Sequence, residues 1–81
     1  MPLQFRDSVD KHGVPRRSTW YVFMTGKATP TTTNQGKPGT LHIGVDDRGV
    51  ELEIITVRRG RDDIAIHAMP SSHRHQKGNR S

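Results

Sequence analysis

Apolar residues recur at every second position in three stretches of the chain, residues 41–45, 50–54 and 64–68. Alternate residues of a β-strand point to the same face, so each stretch predicts a strand with one buried face. Charged turns that contain glycine separate the three stretches. Such turns favour direct hairpin connections. Residues 40–69 are therefore predicted to form a three-stranded antiparallel β-meander.

The middle strand of this meander has the clearest set of polar residues predicted to face solvent. Glu51 and Glu53 fall between apolar positions, which predicts a solvated face. Ile55 and Val57 then break the alternation. Either the second face is covered at that end of the strand, or a β-bulge shifts the register there.

The last strand contains the histidine of greatest interest. Ile64, Ile66 and Ala68 are predicted to point inward, because they are the alternating apolar set. His67 would then lie on the opposite, accessible face of the strand.

The beginning of the chain predicts a short strand followed by a short helix. Leu3–Phe5 alternates apolar and polar residues and is a candidate edge strand. Asp7 or Ser8 is placed to cap a helical turn, and Gly13 is placed to end it.

A second helix is predicted between Pro15 and Gly26. Proline suits the first turn of a helix, and glycine commonly follows the last. Trp20, Phe23 and Met24 then stand at helical spacing and are predicted to face the core. Trp, Tyr, Val and Phe also favour strands, so a strand is the alternative for this segment.

Residues 27–39 are rich in threonine and predict a β-like segment followed by a loop. Pro30 cannot donate to a strand ladder, which restricts such a segment to a sheet edge or a bulge. An exposed edge can pair with another chain, so a homodimer is left open.

Composition limits the size and location of the fold. The chain has 81 residues, of which 30% are hydrophobic. Residues 1–70 are predicted to form one small α+β domain, and residues 71–81, which contain no apolar side chain, a basic and flexible tail. The lack of cysteine and of a hydrophobic leader predicts a cytoplasmic protein. No apolar stretch approaches the roughly 20 residues that span a bilayer, so no membrane partner is expected.

The charge and the basic side chains suggest the kind of partner. A formal net charge of +5 favours an anionic partner such as RNA, the ribosome or an acidic protein. Arg58, Arg59 and Arg61 are candidate phosphate ligands, with a solvated turn as the alternative. Lys11 and His12 are candidates to add positive charge to the same site.

Candidate catalytic chemistry is limited. The chain contains no nucleophile motif, Walker loop, dinucleotide fingerprint or paired-carboxylate signature. His67 is a candidate general acid or base, since histidine titrates near neutral pH, although a surface histidine without a task is the alternative. His73 and His75 have a weak metal-binding spacing with no third ligand in view, so neither a metal nor a cofactor is expected.

Four short motifs follow one another along the chain. They are Lys-His-Gly-Val at 11–14, Leu-His-Ile-Gly-Val at 41–45, Leu-Glu-Ile-Ile-Thr-Val at 52–57 and Ile-Ala-Ile-His-Ala-Met-Pro at 64–70. In this order they resemble the BrnT-like toxins of the RelE superfamily. The last motif is especially similar to an "IHAMPAR" version found in small actinobacterial and phage proteins.

The resemblance implies a RelE/BrnT-like α+β fold, in which short N-terminal helices pack on a three- to four-stranded antiparallel sheet. It also implies a type II toxin that cleaves RNA without a metal ion, inhibits bacterial growth and is neutralised by a cognate antitoxin. Such a protein acts in the cytoplasm of a bacterial or phage-infected cell. The implied catalytic residues are His67, Arg58 and Arg61, and the implied RNA-binding residues are Arg59, Arg74, Lys11 and His12.

Two departures from the toxin pattern bear on catalysis. The toxins typically follow the last strand with Ser-Ala-Arg and a basic helix. This chain has Met69 in place of the arginine, and Pro70 interrupts the continuation. The alternative is therefore a non-catalytic phage or mobile-element protein on the same fold that binds a host protein or nucleic acid.

Overall fold

The computed structural model describes residues 3–72, so His73, Arg74, His75 and the rest of the predicted tail lie outside the described residues. Within this range no helix is long and apolar enough to cross a membrane. The second helix and the meander are confirmed. In chain order the elements are β1 (Leu3–Phe5), a 3₁₀ helix (Asp7–His12), α1 (Arg16–Thr25), β2 (Lys27–Thr32), β3 (Pro38–Val45), β4 (Glu51–Arg59) and β5 (Asp62–Pro70).

The described strands form one mixed sheet in the order β1-β5-β4-β3-β2. Neighbours pair antiparallel except β1, which runs parallel to β5. The prediction of three to four antiparallel strands is therefore wrong in strand number and in the direction of β1. No hairpin joins β1 to β5, and the long connection through the helices allows a parallel pair. Pro30 lies on the edge strand β2, as its missing N–H group requires.

The register of β4 and β5 breaks between Ile55 and Thr56, so this strand pair contains a bulge, but β4, for which a bulge was one of two alternatives, keeps its own alternation. His67 lies opposite Ile55, whereas Ala65, two positions earlier, lies opposite Thr56. The extra residue is therefore Ile66 on β5. An inserted residue of this kind shifts the alternation of the strand that carries it.

We call the side of the sheet that carries Leu52 and Ile54 the core face, and the side that carries His67 the outer face. Leu52 and Ile54 are fully buried. Val9 of the 3₁₀ helix and Val22 of α1 belong to the same buried cluster. The two helices therefore cover the core face, where apolar side chains from helices and sheet are removed from water.

Of the three residues of β5 that were predicted to point inward, Ala68 is fully buried as expected, whereas Ile64 and Ile66 are only half-buried. Ala65 and Ala68 are fully buried on the core face, whereas Ile64 is half-buried on the outer face. The bulge is the reason, because an inserted residue exchanges the inward and outward positions of the strand on one side of it. His67 does lie on the face away from the core, as predicted.

The buried side of α1 also differs from the prediction. Val22 is fully buried, whereas Trp20 and Met24 are 48% and 55% exposed, so the prediction that these two residues face the core is wrong. The helix lies very close to the sheet at Gly44, where an added Cβ would be 2.9 Å from the Cα atom of Gly26. Large side chains do not fit between backbones at this distance.

The close contact with α1 determines which face of β3 is buried. His42 shares the core face with Gly44 and is only 6% exposed, while Val45 on the outer face is exposed. The outer face of β4 is solvated at Glu51, as predicted, but not at Glu53, which is buried. A polar histidine and a carboxylate are thus both removed from water, on opposite faces.

Candidate acid–base site at the edge of the sheet

Two histidines from different elements meet beside β5. His12 is the last residue of the 3₁₀ helix, and His67 follows the bulge on β5. Their ring centroids are 5.7 Å apart, and the ring planes meet at 78° in an edge-to-face arrangement. Both residues are half-buried. The fold therefore brings together two titratable groups that are far apart in the sequence.

The 3₁₀ helix reaches His67 because β1 is short. β1 pairs with β5 only over residues 63–65, and the 3₁₀ helix packs against β5 next to it. Val9 points from this helix into the core and is 1% exposed. Residues three apart lie on the same side of a 3₁₀ helix, so His12 shares the side of Val9 that faces β5, and at the last position of the helix it contacts His67.

A hydrogen bond connects the 3₁₀ helix to the bulge. The hydroxyl group of Ser8 donates to the carbonyl oxygen of Ile66 over 2.8 Å. The prediction that Asp7 or Ser8 caps the helix is wrong, because Arg6 occupies the cap position without a side-chain hydrogen bond. Gly13 ends the helix as predicted, with a φ of 71° that glycine adopts without strain. The Ser8 contact instead positions the helix along β5.

The surroundings of His67 lower its pKa. Burial is the largest cause, and the positive charge of His12 acts in the same direction. The Glu53 carboxylate raises the pKa of His67 and thus opposes this shift, while Lys11 lowers it slightly further. His67 is therefore neutral at neutral pH, and one of its ring nitrogens is able to accept a proton.

A neutral imidazole beside a second imidazole and an ammonium group is suited to proton transfer. One ring can accept a proton and the other can donate one, while a lysine stabilises developing negative charge. Lys11 and His12 are adjacent in the chain, so the ammonium group belongs to the same short helix. Among residues 3–72, no three His, Asp or Glu side chains converge as a metal-binding group.

The structure does not bring the predicted arginines to this histidine pair. Arg58 lies on the core face opposite Asp63, with Nη1 3.9 Å from the carboxylate Oδ1. His67 lies four residues beyond Asp63 on β5, about 13 Å away at a strand rise of 3.3 Å per residue. Arg58 and His67 therefore point to opposite faces and lie well apart.

The other predicted residues are distributed around the hairpin end. Arg59 lies opposite Asp62 in the β4–β5 strand pair and is on the outer face, the same face as His67. Arg61 is in the turn between β4 and β5, and it is exposed. Arg74 lies outside the described residues. Arg59 and Arg61 are thus placed to attract an anionic strand along the sheet, at a distance from the histidine pair.

Sequence reasoning missed the polar residues that the fold buries. His42 and Asp63 are 6% and 9% exposed on the core face, and Glu53 is 4% exposed on the outer face. Their alternation with apolar residues is the signal of a solvated strand face, so the pattern pointed away from burial. No local pattern links His42 to Asp63, because they lie on β3 and β5, which are separated by β4.

No protein-family model, curated protein or solved structure matches the chain.

Proposed function

We propose that this protein is a BrnT/RelE-like toxin that cleaves RNA without a metal ion, with His12 and His67 as its acid–base pair. The observation that carries the proposal is the edge-to-face contact of these two rings at 5.7 Å, with Lys11 near enough for its charge to lower the pKa of His67. RNA cleavage by its own 2′-hydroxyl requires a proton acceptor, a proton donor and positive charge near the phosphate. All three are supplied by this group of side chains.

The reaction assigns one role to each side chain. Neutral His67 accepts the proton of the 2′-hydroxyl group as its oxygen attacks the adjacent phosphorus. Protonated His12 donates a proton to the departing 5′-oxygen, and the ammonium group of Lys11 stabilises the charge that develops on the phosphoryl oxygens. The products are a 2′,3′-cyclic phosphate and a 5′-hydroxyl end, and the protein ends with His67 protonated and His12 neutral.

The charge and architecture of the chain support an RNA substrate. A net charge of +5 attracts a polyanion. Arg59 lies on the outer face with His67, and Arg61 lies in the adjoining turn, so both are candidate phosphate contacts. Helices that cover one face of an antiparallel meander agree in outline with the fold that the resemblance implies. Cleavage would take place beside β5, where His12 at the end of the 3₁₀ helix meets His67.

Cleavage of a short single-stranded RNA by the purified chain in the presence of EDTA tests the proposal. We expect cyclic-phosphate and 5′-hydroxyl ends, and a rate that falls about 100- to 10,000-fold in His67→Ala and in His12→Ala, the usual contribution of acid–base groups. Lys37→Ala, which removes an exposed basic side chain at the far end of the sheet from β5, is the control and should cleave normally. Circular dichroism spectra establish that the variants fold.

Two outcomes would contradict the proposal. Equal cleavage by the wild-type chain, His67→Ala and His12→Ala would show that the activity does not reside in this pair. RNA that is bound but never cut would favour the non-catalytic alternative, in which the protein acts by occupying nucleic acid or a host protein. Expression in a bacterial host, with growth and new RNA ends measured together, tests the toxin role and the same variants in the cell.

A further inference from the structure

The side of α1 that faces away from the sheet carries exposed aromatic side chains. Trp20, Tyr21 and Met24 are 48%, 38% and 55% exposed. Arg17 precedes Trp20 by three positions and Tyr21 by four, and Met24 follows Trp20 by four and Tyr21 by three. Residues at these spacings are neighbours on the surface of a helix. We call Arg17, Trp20, Tyr21 and Met24 the α1 stripe.

The stripe is exposed because of the way α1 lies on the sheet. Ser18, Thr19 and Val22 are the buried residues of the helix, and none of them has a large side chain. The close approach of Gly26 to Gly44 leaves no room for an aromatic ring between helix and sheet. Neighbouring apolar side chains that stay in contact with water are typical of interaction sites.

The charge of the stripe favours an anionic ligand. α1 contains two arginines and no acidic residue. Arg16 donates two hydrogen bonds to the Asp10 carboxylate, over 3.2 and 2.8 Å, and is therefore engaged within the chain. The side chain of Arg17 is 85% exposed, and its Nε lies 3.5 Å from Oδ2 of Asp47. An ion pair as exposed as this contributes little to stability, so Arg17 is available to a phosphate.

The size of the stripe favours nucleotides over a partner protein. α1 has 10 residues. A helix of that length is about 15 Å long and about 10–12 Å wide, so its exposed side measures on the order of 150 Å² in projection. A stable protein interface takes about 800 Å² from each partner. A second copy of the chain would, in addition, bring another arginine and no acidic side chain from its own stripe.

We propose that the α1 stripe binds single-stranded RNA, with one unpaired base stacked on Trp20 and the next on Tyr21. Such stacking accepts any base, because every base has a flat π face. The Arg17 guanidinium, which neighbours both aromatic residues, donates hydrogen bonds to the phosphate between the two nucleotides. Met24 supplies apolar surface on the other side of the two rings.

The stripe lies near the proposed acid–base pair. Arg17 is five residues after His12 in the sequence. Five residues span at most about 18 Å of chain. An RNA strand held on α1 can therefore extend to His12 and His67. The inference rests on the proposed function only for the choice of RNA as ligand, because stacking requires no cleavage.

Trp20 is the only tryptophan of the chain, so its fluorescence reports directly on the stripe. The full chain is titrated with a short single-stranded 2′-O-methyl oligouridine, which cannot be cleaved because it lacks the attacking hydroxyl group. We expect saturable quenching of the Trp20 emission, and none with inorganic polyphosphate, which carries charge but no bases. Tyr21→Leu and Arg17→Gln should each raise the Kd about tenfold, through loss of a stacked base and of a charge-assisted hydrogen bond. Both residues are exposed, so both variants should fold.

Two variants serve as matched controls. Phe23→Leu removes an aromatic ring of the same helix that packs against His42 instead of belonging to the stripe. Lys37→Gln removes one positive charge from an exposed residue between β2 and β3. Both variants should bind the oligouridine with the Kd of the wild type.

Several results would overturn the inference. They are the absence of quenching, equal quenching by polyphosphate, and a wild-type Kd in both Tyr21→Leu and Arg17→Gln. A change in Trp20 emission when the chain is concentrated without RNA would show that a second copy covers the stripe, and it would overturn the inference as well.

His67→Ala separates the inference from the proposed function. This variant should lose cleavage of ordinary RNA and keep the quenching by 2′-O-methyl oligouridine. Tyr21→Leu should raise the KM for cleavage and leave kcat nearly unchanged, because a base bound on α1 takes no part in proton transfer. Quenching without cleavage would contradict only the proposed function, and cleavage without quenching would contradict only RNA binding by the stripe.

Discussion

Gly44 on β3 and Gly26 at the end of α1 lie directly against each other, and a Cβ atom built on Gly44 would be 2.9 Å from the Cα of Gly26. Real Cβ atoms do not approach another carbon so closely, so this contact requires glycine at position 44. The same hypothetical atom would be 3.7 Å from Cγ1 of Val22. The contact holds α1 on the face of β3 that carries Gly44 and His42.

Replacing Gly44 tests this contact. Gly44→Ala should lower the free energy of unfolding by about 1–3 kcal/mol, the usual cost of overpacking a tight site. Val45→Ala changes the next residue, which is exposed on the outer face, and should cost less than about 1 kcal/mol. Urea denaturation of both variants provides the comparison. A Gly44→Ala protein as stable as the wild type would show that α1 does not lie so close to the sheet.

The buried side of α1 yields a second prediction. Val22→Ala should lower the free energy of unfolding by roughly 1.5–3 kcal/mol, because Val22 is fully buried. Trp20→Gln should cost no more than about 1 kcal/mol, because the side chain that it removes is largely solvated. The two midpoints of urea unfolding measure this difference. A larger loss of unfolding free energy from Trp20→Gln than from Val22→Ala would indicate that α1 turns Trp20 toward the core, as the sequence pattern predicts.

The histidines predict how stability depends on pH. Burial lowers the pKa of His42 and of His67 in the folded chain, below the ordinary value of 6.5. As the pH falls through 6.5, the unfolded chain therefore binds more protons than the folded chain, and the free energy of unfolding decreases. The stabilisation is fully present above the ordinary pKa and is lost on acidification. Urea denaturation from about pH 7.5 to 5 measures this slope.

Replacing His42 tests whether this residue contributes to the dependence of the unfolding free energy on pH. His42→Asn should flatten the dependence of stability on pH, whatever its effect on stability at neutral pH, because it removes one of the two groups. Gln35→Asn changes an exposed loop residue that does not titrate in this range, and as the control it should leave the slope unchanged. Equal slopes in the wild type and His42→Asn would rule out His42 as a contributor.

The Glu53 carboxylate affects the pKa of His67 in the candidate acid–base site. It raises the pKa of His67 against the larger effect of burial. Glu53→Gln should therefore lower the pKa of His67 further, and the acid side of any RNA-cleavage profile should move to lower pH. NMR titration of the His67 ring measures the pKa without relying on activity. Glu51 is an exposed carboxylate on the same face of β4, and Glu51→Gln should change the pKa of His67 less. A rise in the pKa of His67 with Glu53→Gln would contradict this assignment.

The candidate site was only partly predictable. Lys11, His12 and His67 are each recognisable in the sequence as basic or titratable groups. Their meeting depends on the short pairing of β1 with β5 and on the hydrogen bond from Ser8 to Ile66, and neither leaves a local pattern. The burial of His42 was hidden for a related reason, since a polar residue between apolar neighbours is typical of a solvated face.

By itself, the sequence determined the strands of the meander, the helix after Pro15 and the turns, because alternation, proline and glycine act over a few neighbouring residues. Only the tertiary structure decided which side of each element is buried. Gly44 places His42 beneath α1, the bulge at Ile66 turns Ala65 inward and Ile64 outward, and the packing of the 3₁₀ helix on β5 brings His12 beside His67. These outcomes depend on how closely backbones approach and how strands align, which are distances between segments remote in the sequence.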